Sequence, residues 1–502
     1  MTTTQRDGAA VICTPLAVEH AALAPVLRPV PVIRTGRGPA RSNRSAGRPE
    51  LRDRPLVVAG LAGGVADGVR PGELVVATEV RGAGDPIVSP AAPLVAGALR
   101  RAGLPARLGP IHSTDRIVHG AARAGFAAEQ VLAVDMESAQ LAAAAGRHPV
   151  LVLRAVVDTP RHPLLRPGTV GRGLRALSNL RAAAPVLRQW QQALGARQLV
   201  LASPRSFCAG VGRAIEIVER ALDRYPGPIY VRRQIVHNAH VVRELEQRGA
   251  RFVAELSEVP PNSRVILAAH GVAPEVHEQA AERSLQVIDA TCPLVTKVHN
   301  EVRRYAARGD TVFLIGHAEH EEVVGSRGQA PDQVIVVGDL AEAARVQPAD
   351  ENRVAYAMQT TLAIDEAEQI ADVLRARFPR LTMPAREDIC YATTNRQRAI
   401  RAIAAETELV LVLGSANSSN SARLVEVAER QGTAAYLVED ASEVDLRWLA
   451  GVERVGISAG ASAPPHLVEQ LIQALAGLGP VELRTHDVAD EHVQFSLPRE
   501  VS

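Results

Sequence analysis

Continuous apolar runs, rather than strict alternation of apolar and polar residues, mark this chain. "PLVVAGLAGG" reads as a buried strand entering a Gly-rich turn, "ELVVATEV" as a second strand and "HPVLVLRAVVDTP" as a third. "QVLAVDMESAQLAAAAG" reads as a strand leading into an Ala-rich helix. Strands apolar on both faces, with helices between them, predict a largely parallel sheet covered on both sides. After Pro163 the pattern dissolves into "LLRPGTVGRGLRALSNLRAAAPVLRQWQQAL", which is helical and Arg-rich and has no Gly/Ser stretch that would make a loose tether. "RQLVLASPRSF" then starts a fresh strand, so a boundary falls near residue 195 and two domains, 1–190 and 196–502, are expected. A chain of 502 residues is in any case too long for a single core.

The second part carries a weak internal repeat. "SFCAGVGRAIEIVERALDRYPGPIYVRRQIVHN", "DATCPLVTKVHNEVRRYAARGDTVFLIGHAEH" and "DICYATTNRQRAIRAIAAETELVLVLGSANSSN" each read as strand end, Cys, helix, strand and polar turn. Cys208, Cys292 and Cys390, separated by 84 and 98 residues, thus sit at the carboxyl ends of strands, the edge where open α/β sheets bind ligands.

Composition narrows the function classes. Hydrophobic residues make up 47% and aromatics only 3%, so cores are filled by Ala, Val and Leu. A formal net charge of +1 gives no polyanion-binding surface, and no nucleic-acid partner is expected. No apolar run approaches the roughly 20 residues of a membrane span, and "MTTTQRDGAA" lacks a signal-peptide core, so a cytoplasmic location is expected. Four cysteines are too few and too scattered for a disulfide framework, and Cys13, in the strand "AVICTP", reads as buried.

Three thiols at three helix N-termini lie in positive backbone potential, which lowers thiol pKa and favours metal ligation. Zinc is one option, but structural zinc usually takes paired ligands such as CxxC. An iron–sulfur cluster accepts distant cysteines; it normally takes four, and three leave one iron open as a Lewis acid. His317 and His320, three apart, offer another zinc pair, but they follow the strand "TVFLIG" and belong to a loop. His299, on the helix after Cys292, reads as an exposed or satisfied structural histidine.

"FCAGV", "VHN", "AAHGVAPEVHE", "DATCPLVTKVH", "GHAEHEE", "QTTLAIDEAEQIADVLRARFP", "DICYATTNRQ", "GSANSSNSARLVEVA" and "ISAGASAP" occur in this order, with "FSLPRE" closing the chain. Together they resemble the 4-hydroxy-3-methylbut-2-enyl diphosphate reductase (LytB/IspH) family over about residues 196–502. The resemblance implies a trefoil of three α/β lobes around one 4Fe–4S cluster per chain, held by Cys208, Cys292 and Cys390. It also implies two-electron reductive dehydroxylation of an allylic diphosphate to isopentenyl and dimethylallyl diphosphates, with electrons from ferredoxin or flavodoxin. Glu322 matches the family's acid and Thr360 its hydrogen-bonding partner. His237, His270, His320, Ser418, Ser419, Asn420 and Ser462 match the diphosphate pocket. The run at Asn417–Asn420 precedes the helix "SARLVEVAER", and a helix N-terminus with hydroxyl and amide donors suits a phosphate. Three positions depart from the pattern: Gly212 for a usual Asp, Ser206 for a usual Gly and Glu321 for a usual Pro.

In residues 1–190, "GLAGG", "PGELVVATEV", "VDMESAQLA" and "LRAVVDTP" resemble the nucleoside phosphorylase and nucleosidase superfamily, the hopanoid-associated type being most similar. That resemblance implies that Met136 and Glu137 contact a ribose, Asp158 protonates the leaving base and Glu19 activates water. A structural or partner-binding domain is the alternative. For residues 196–502 the alternative is a cluster-bearing redox sensor without catalysis. Such a sensor has no need of Glu322, Thr360 and a diphosphate pocket together. No GxGxxG-type fingerprint follows a strand there, which disfavours hydride transfer from a bound nicotinamide.

Overall fold

The structure, a computed structural model, describes residues 9–119, 122–164 and 166–502, so most of the opening "MTTTQRDGAA" lies outside the described residues. The chain forms two compact units. One runs up to Leu199 and includes Asp440–Arg454 and Glu469–Leu483; the other comprises Val200–Glu439, Val455–Val468 and Arg484–Ser502.

In the first unit, the apolar runs form one eight-stranded sheet. Leu56–Gly64 and Val150–Asp158 lie parallel at its centre, and the nine residues of Val150–Asp158 are all buried. Val150–Asp158 also pairs antiparallel with Leu74–Arg81. Leu74–Arg81 pairs parallel with Ala106–Ser113, which pairs parallel with Ala133–Asp135, and that strand returns antiparallel to Leu56–Gly64. Five strands therefore close into a ring. The sheet is more mixed than the apolar runs predict, because Leu56–Gly64 and Leu74–Arg81 run in opposite directions. A strand bridging both must be parallel to one and antiparallel to the other. Cys13 is fully buried in Val11–Thr14, and burial pushes its thiol up to about 12. The Arg-rich stretch is helical as expected, forming Thr169–Ala182 and Ala184–Gln192.

The remaining strands form three separate sheets. Ala250–Val253, Ile229–Arg232, Arg264–Leu267 and Gln286–Asp289 make the first, all parallel. Val334–Val337, Thr311–Ile315 and Val354–Met358 make the second, also parallel. Ala434–Val438, Leu409–Leu413, Arg454–Ala459, Arg197–Ser203 and Val481–Asp487 are ordered so in the third. Parallel register aligns the carboxyl ends: Arg232 opposite Leu267, Ile315 opposite Met358, Leu413 opposite Ala459. Loops leaving those ends carry almost every residue singled out in the sequence.

Cys390 is the exception to the repeat. It follows no strand. The chain leaves helix Ile364–Arg377 and reaches Cys390 through an irregular segment with one bridge, Thr382 to Ala355. Asp388 anchors that segment by accepting hydrogen bonds from Met358 N at 2.9 Å and Lys297 Nζ at 2.8 Å, and Cys390 N donates to Thr360 O at 3.1 Å. "TMPARED" holds a proline and three charged residues and cannot propagate a buried strand.

Candidate functional site

Each of the three cysteines is the N-cap of a helix: Cys208 of Ala209–Arg224, Cys292 of Pro293–Ala307 and Cys390 of Tyr391–Ala404. All three line one cavity of about 760 Å³ in the second unit. Gly210 lets them approach: a Cβ there would lie 2.7 Å from Cys292 Sγ and 3.9 Å from Cys208 Sγ. Arg396, buried on the Cys390 helix, donates to Ser206 O at 2.7 Å and so ties that helix to the segment entering Cys208. Ser206 has φ 60°, a region glycine occupies freely, so serine carries strain of about 1–2 kcal/mol there. Gly212 meets nothing within 4 Å of a built Cβ, so space does not demand glycine at that position.

The helix N-termini do not win the contest over thiol ionisation. Burial, reinforced by the neighbouring cysteines, pushes Cys292 up to about 12 and Cys390 up to about 11. A cluster of half-buried thiols, with no cationic side chain among the described residues offsetting the rise at Cys292 or Cys390, is a donor set that a metal centre would deprotonate on binding. Three convergent sulfurs and an open cavity beside them fit a metal–sulfur group with one site left to a ligand.

Glu322 faces this space. It is buried, and both carboxylate oxygens accept from one residue: Oε1 from Thr360 N at 2.6 Å and Oε2 from Thr360 Oγ1 at 2.9 Å. Burial outweighs those hydrogen bonds and raises its pKa to about 7, with Asp388 adding to the shift.

Three imidazoles form the opposite wall. His237 and His270 stack with centroids 4.0 Å apart, and His320 stands edge-on to both at 5.6 and 5.9 Å. His320 caps helix Glu321–Arg327, its Nδ1 accepting from Glu322 N at 3.2 Å, so the neutral ring carries its proton on Nε2. The buried Nε2 atoms of His237 and His270 have no hydrogen-bond partner among the described residues. Burial lowers His237 and His320 to about 4 and His270 well below its ordinary value; His237 and His320 add to the shift at His270, and His237 and His317 to that at His320.

Short donors close the cavity. Ser418 caps helix Ser419–Arg430 by accepting from Ser421 N, and Ser462 Oγ donates to His237 O at 3.0 Å. Ser419 Oγ lies 3.2 Å from Thr361 Oγ1, and Asn420 Oδ1 accepts from Ala461 N at 3.0 Å. Gly414 and Gly460 make room for Ser421, whose Oγ lies 2.2 and 2.0 Å from their built Cβ positions. All twelve residues expected in the reductase site, cysteines included, line this one cavity. Thr361, Thr393 and Phe495 line it too and were not singled out in the sequence. Thr393 had a legible signal, since it stands three residues after an N-capping cysteine.

Of the two other histidines singled out in the sequence, one reading changes. His317 lies 2.7 Å from an Arg423 nitrogen and is not among the residues that line the cavity with His320. His299 is neither exposed nor satisfied: it is buried, its Nε2 has no partner among the described residues, and it is wedged where a Cβ on Gly271 would strike its ring at 2.6 Å. Glu321 pairs with Arg233 at 3.6 Å.

The first unit has a cavity of its own, about 800 Å³, which gathers Glu19, Met136, Glu137 and Asp158. Glu19 Oε1 accepts from Leu61 N at 2.7 Å and Oε2 from Leu16 N at 2.6 Å. Glu137 Oε1 accepts from Gly38 N at 2.8 Å. Burial raises both carboxyls although Arg154, fully buried and 2.6 Å from Asp135, partly offsets it. Asp158 accepts from the Arg123 guanidinium, which also donates to Val118 O and Gly64 O.

Comparison with known proteins gives two family matches: LytB protein over residues 199–476 and Phosphorylase superfamily over residues 27–170. The chain is 53% identical over 313 residues to 4-hydroxy-3-methylbut-2-enyl diphosphate reductase 1 of Mycobacterium tuberculosis, covering 62% of this chain and 95% of that protein. It is 56% identical over 306 residues to the 4-hydroxy-3-methylbut-2-enyl diphosphate reductase of Acidothermus cellulolyticus, covering 61% and 90%. Among solved structures, the E-1-hydroxy-2-methyl-but-2-enyl-4-diphosphate reductase of Plasmodium falciparum matches with TM-score 0.59 at 34% identity, over 61% of this chain and 97% of that one.

Proposed function

The chain belongs to the LytB protein family, and on that premise we propose that residues 196–502 reduce (E)-4-hydroxy-3-methylbut-2-enyl diphosphate to isopentenyl and dimethylallyl diphosphates. The observation that carries the reading is one cavity holding the three N-cap cysteines, the Glu322–Thr360 pair and the three imidazoles. Cys208, Cys292 and Cys390 would hold a 4Fe–4S cluster at the centre of three lobes. When bound, that group supplies single electrons and one iron free for the substrate's hydroxyl.

The chain's own residues do the rest. The diphosphate enters among His237, His270 and His320 and the hydroxyl and amide donors Ser418, Ser419, Asn420 and Ser462. Neutral imidazoles with free ring nitrogens gain an anion to bind, and the N-terminus of Ser419–Arg430 favours the same charge. The allylic C–O bond breaks as two electrons and two protons enter: one proton leaves with the oxygen as water, and the other ends on carbon. Glu322, its pKa raised to about 7, is protonated in about half of the molecules at neutral pH and so can supply such a proton, and Thr360 fixes its orientation. Electrons arrive one at a time from an external donor of the ferredoxin or flavodoxin kind. No helix of the described residues is long and apolar enough to cross a membrane, and a cytoplasmic location is part of the proposal. Anaerobic purification with iron and sulfide assay tests the cluster directly, since a colourless, iron-free protein has no place in this reading.

A second reading covers residues 1–190. The Phosphorylase superfamily match and the cavity that gathers Glu19, Met136, Glu137 and Asp158 support a nucleosidase that releases adenine from an adenosyl-linked substrate. Asp158 acts there as acid only after exchanging its guanidinium partner for a proton and the base. Release of adenine by the full chain, measured with an adenosyl substrate, tests it.

A further inference from the structure

Cys390 is held by more than its place at a helix end. Thr393 N donates to Cys390 Sγ at 3.4 Å, and Thr393 Oγ1 lies 3.2 Å from the same sulfur. Either atom of the second pair has the chemistry to donate, so the direction must come from the neighbours. Asn420 settles it. Its Oδ1 accepts from Ala461 N at 3.0 Å, and a backbone N–H can meet only the oxygen end of a side-chain amide. The amide nitrogen therefore faces the other way, and Nδ2 donates to Thr393 Oγ1 at 3.3 Å. With its oxygen accepting from Asn420, the Thr393 hydroxyl has its own proton to give, and Cys390 Sγ is the acceptor at hand. Thr393 and Asn420 are both buried, so water does not compete for these bonds.

We infer that Thr393 is a positioning residue that donates a hydrogen bond to the Cys390 sulfur, raises the reduction potential of the group held there, and links that sulfur to Asn420 of the diphosphate pocket. The inference rests on the iron–sulfur reading of Cys208, Cys292 and Cys390. Hydrogen bonds to ligand sulfurs withdraw electron density and favour the reduced, more negative state, one of the main controls a protein has over such a centre. Cys292 and Cys208 have no side-chain hydroxyl donor of this kind among the described residues.

The test is an EPR-monitored redox titration of the anaerobically prepared full chain, with iron and sulfide counted on the same samples. Thr393→Val keeps the shape and removes the hydroxyl, and Thr393→Ala does so with less bulk if valine disturbs packing. The expected result is a full cluster whose one-electron reduction is about tenfold less favourable, which is about 59 mV more negative. Thr393→Ser should bring the midpoint back toward the wild-type value. A cluster-loaded Thr393→Val or Thr393→Ala protein with an unchanged midpoint overturns the inference. A wild-type protein without iron and sulfide instead overturns the reading beneath it.

Discussion

Glu322 and Thr360 meet across two elements: the glutamate stands in the first turn of helix Glu321–Arg327, and the threonine two residues past strand Val354–Met358. One residue's backbone N–H and hydroxyl satisfy both oxygens of the other, at 2.6 and 2.9 Å. The pairing fixes the carboxyl's direction while burial keeps its proton affinity high, so position and protonation are set by separate means. Removing the proton without changing the shape separates them. Glu322→Gln should leave the iron content and diphosphate binding near wild type while turnover falls about 10²–10⁴-fold, the usual worth of a general acid. Unchanged steady-state turnover would remove Glu322 from the acid role.

The pH dependence follows from the same group. Its pKa is raised, to about 7, so the proton is held below that pH and lost above it. Turnover limited by proton delivery should therefore decline as pH rises through about 7. Thr360→Val, by deleting a hydrogen bond that stabilises the carboxylate, should move that limb to higher pH. A limb that stays put in Thr360→Val, with turnover otherwise measurable, contradicts the assignment of the limb to Glu322.

Gly210 is the steric condition for the cysteines' approach. In Gly210→Ala the new methyl meets Cys292 Sγ at 2.7 Å, well inside contact distance. The helix itself should tolerate alanine, since alanine is the better helix former. Circular dichroism should stay near wild type while iron and sulfide per chain fall to a small fraction. A full complement of iron in this variant would mean the sulfurs have room that the cavity does not provide.

The legible and illegible parts of the fold divide along physical lines. Strand ends, N-capping cysteines and polar turns are local, and Cys208, Cys292, His320 and Ser418 stand where sequence pattern put them. Strand direction is not local: nine buried residues read the same whether the neighbour runs parallel or antiparallel, which hid the ring closed by Val150–Asp158. Thiol ionisation was misjudged for a related reason. A helix N-terminus is visible in sequence, but the burial that overrides it at Cys292 and Cys390 comes from three distant segments meeting. His299 was misread because Gly271, which packs on its ring, lies 28 residues away along the chain; Thr393's place after Cys390 was legible, but its bond to Asn420, 27 residues on, was not.

In the first unit, Asp158→Asn retains the shape but removes the carboxyl that faces Arg123. If the front cavity releases adenine, this variant should lose the activity while the reductase turnover of the same chain stays at wild-type level. Retained adenine release in Asp158→Asn would take Asp158 out of the chemistry.

The central claim is that the cavity around Cys208, Cys292 and Cys390 reduces an allylic diphosphate. Its most direct test is single-batch turnover of (E)-4-hydroxy-3-methylbut-2-enyl diphosphate by anaerobically prepared, cluster-loaded full chain, with reduced viologen as electron source and products separated by chromatography. Isopentenyl and dimethylallyl diphosphates should form together in wild type and be absent in Cys292→Ser. A protein with a full cluster that forms neither product from this substrate would contradict the account.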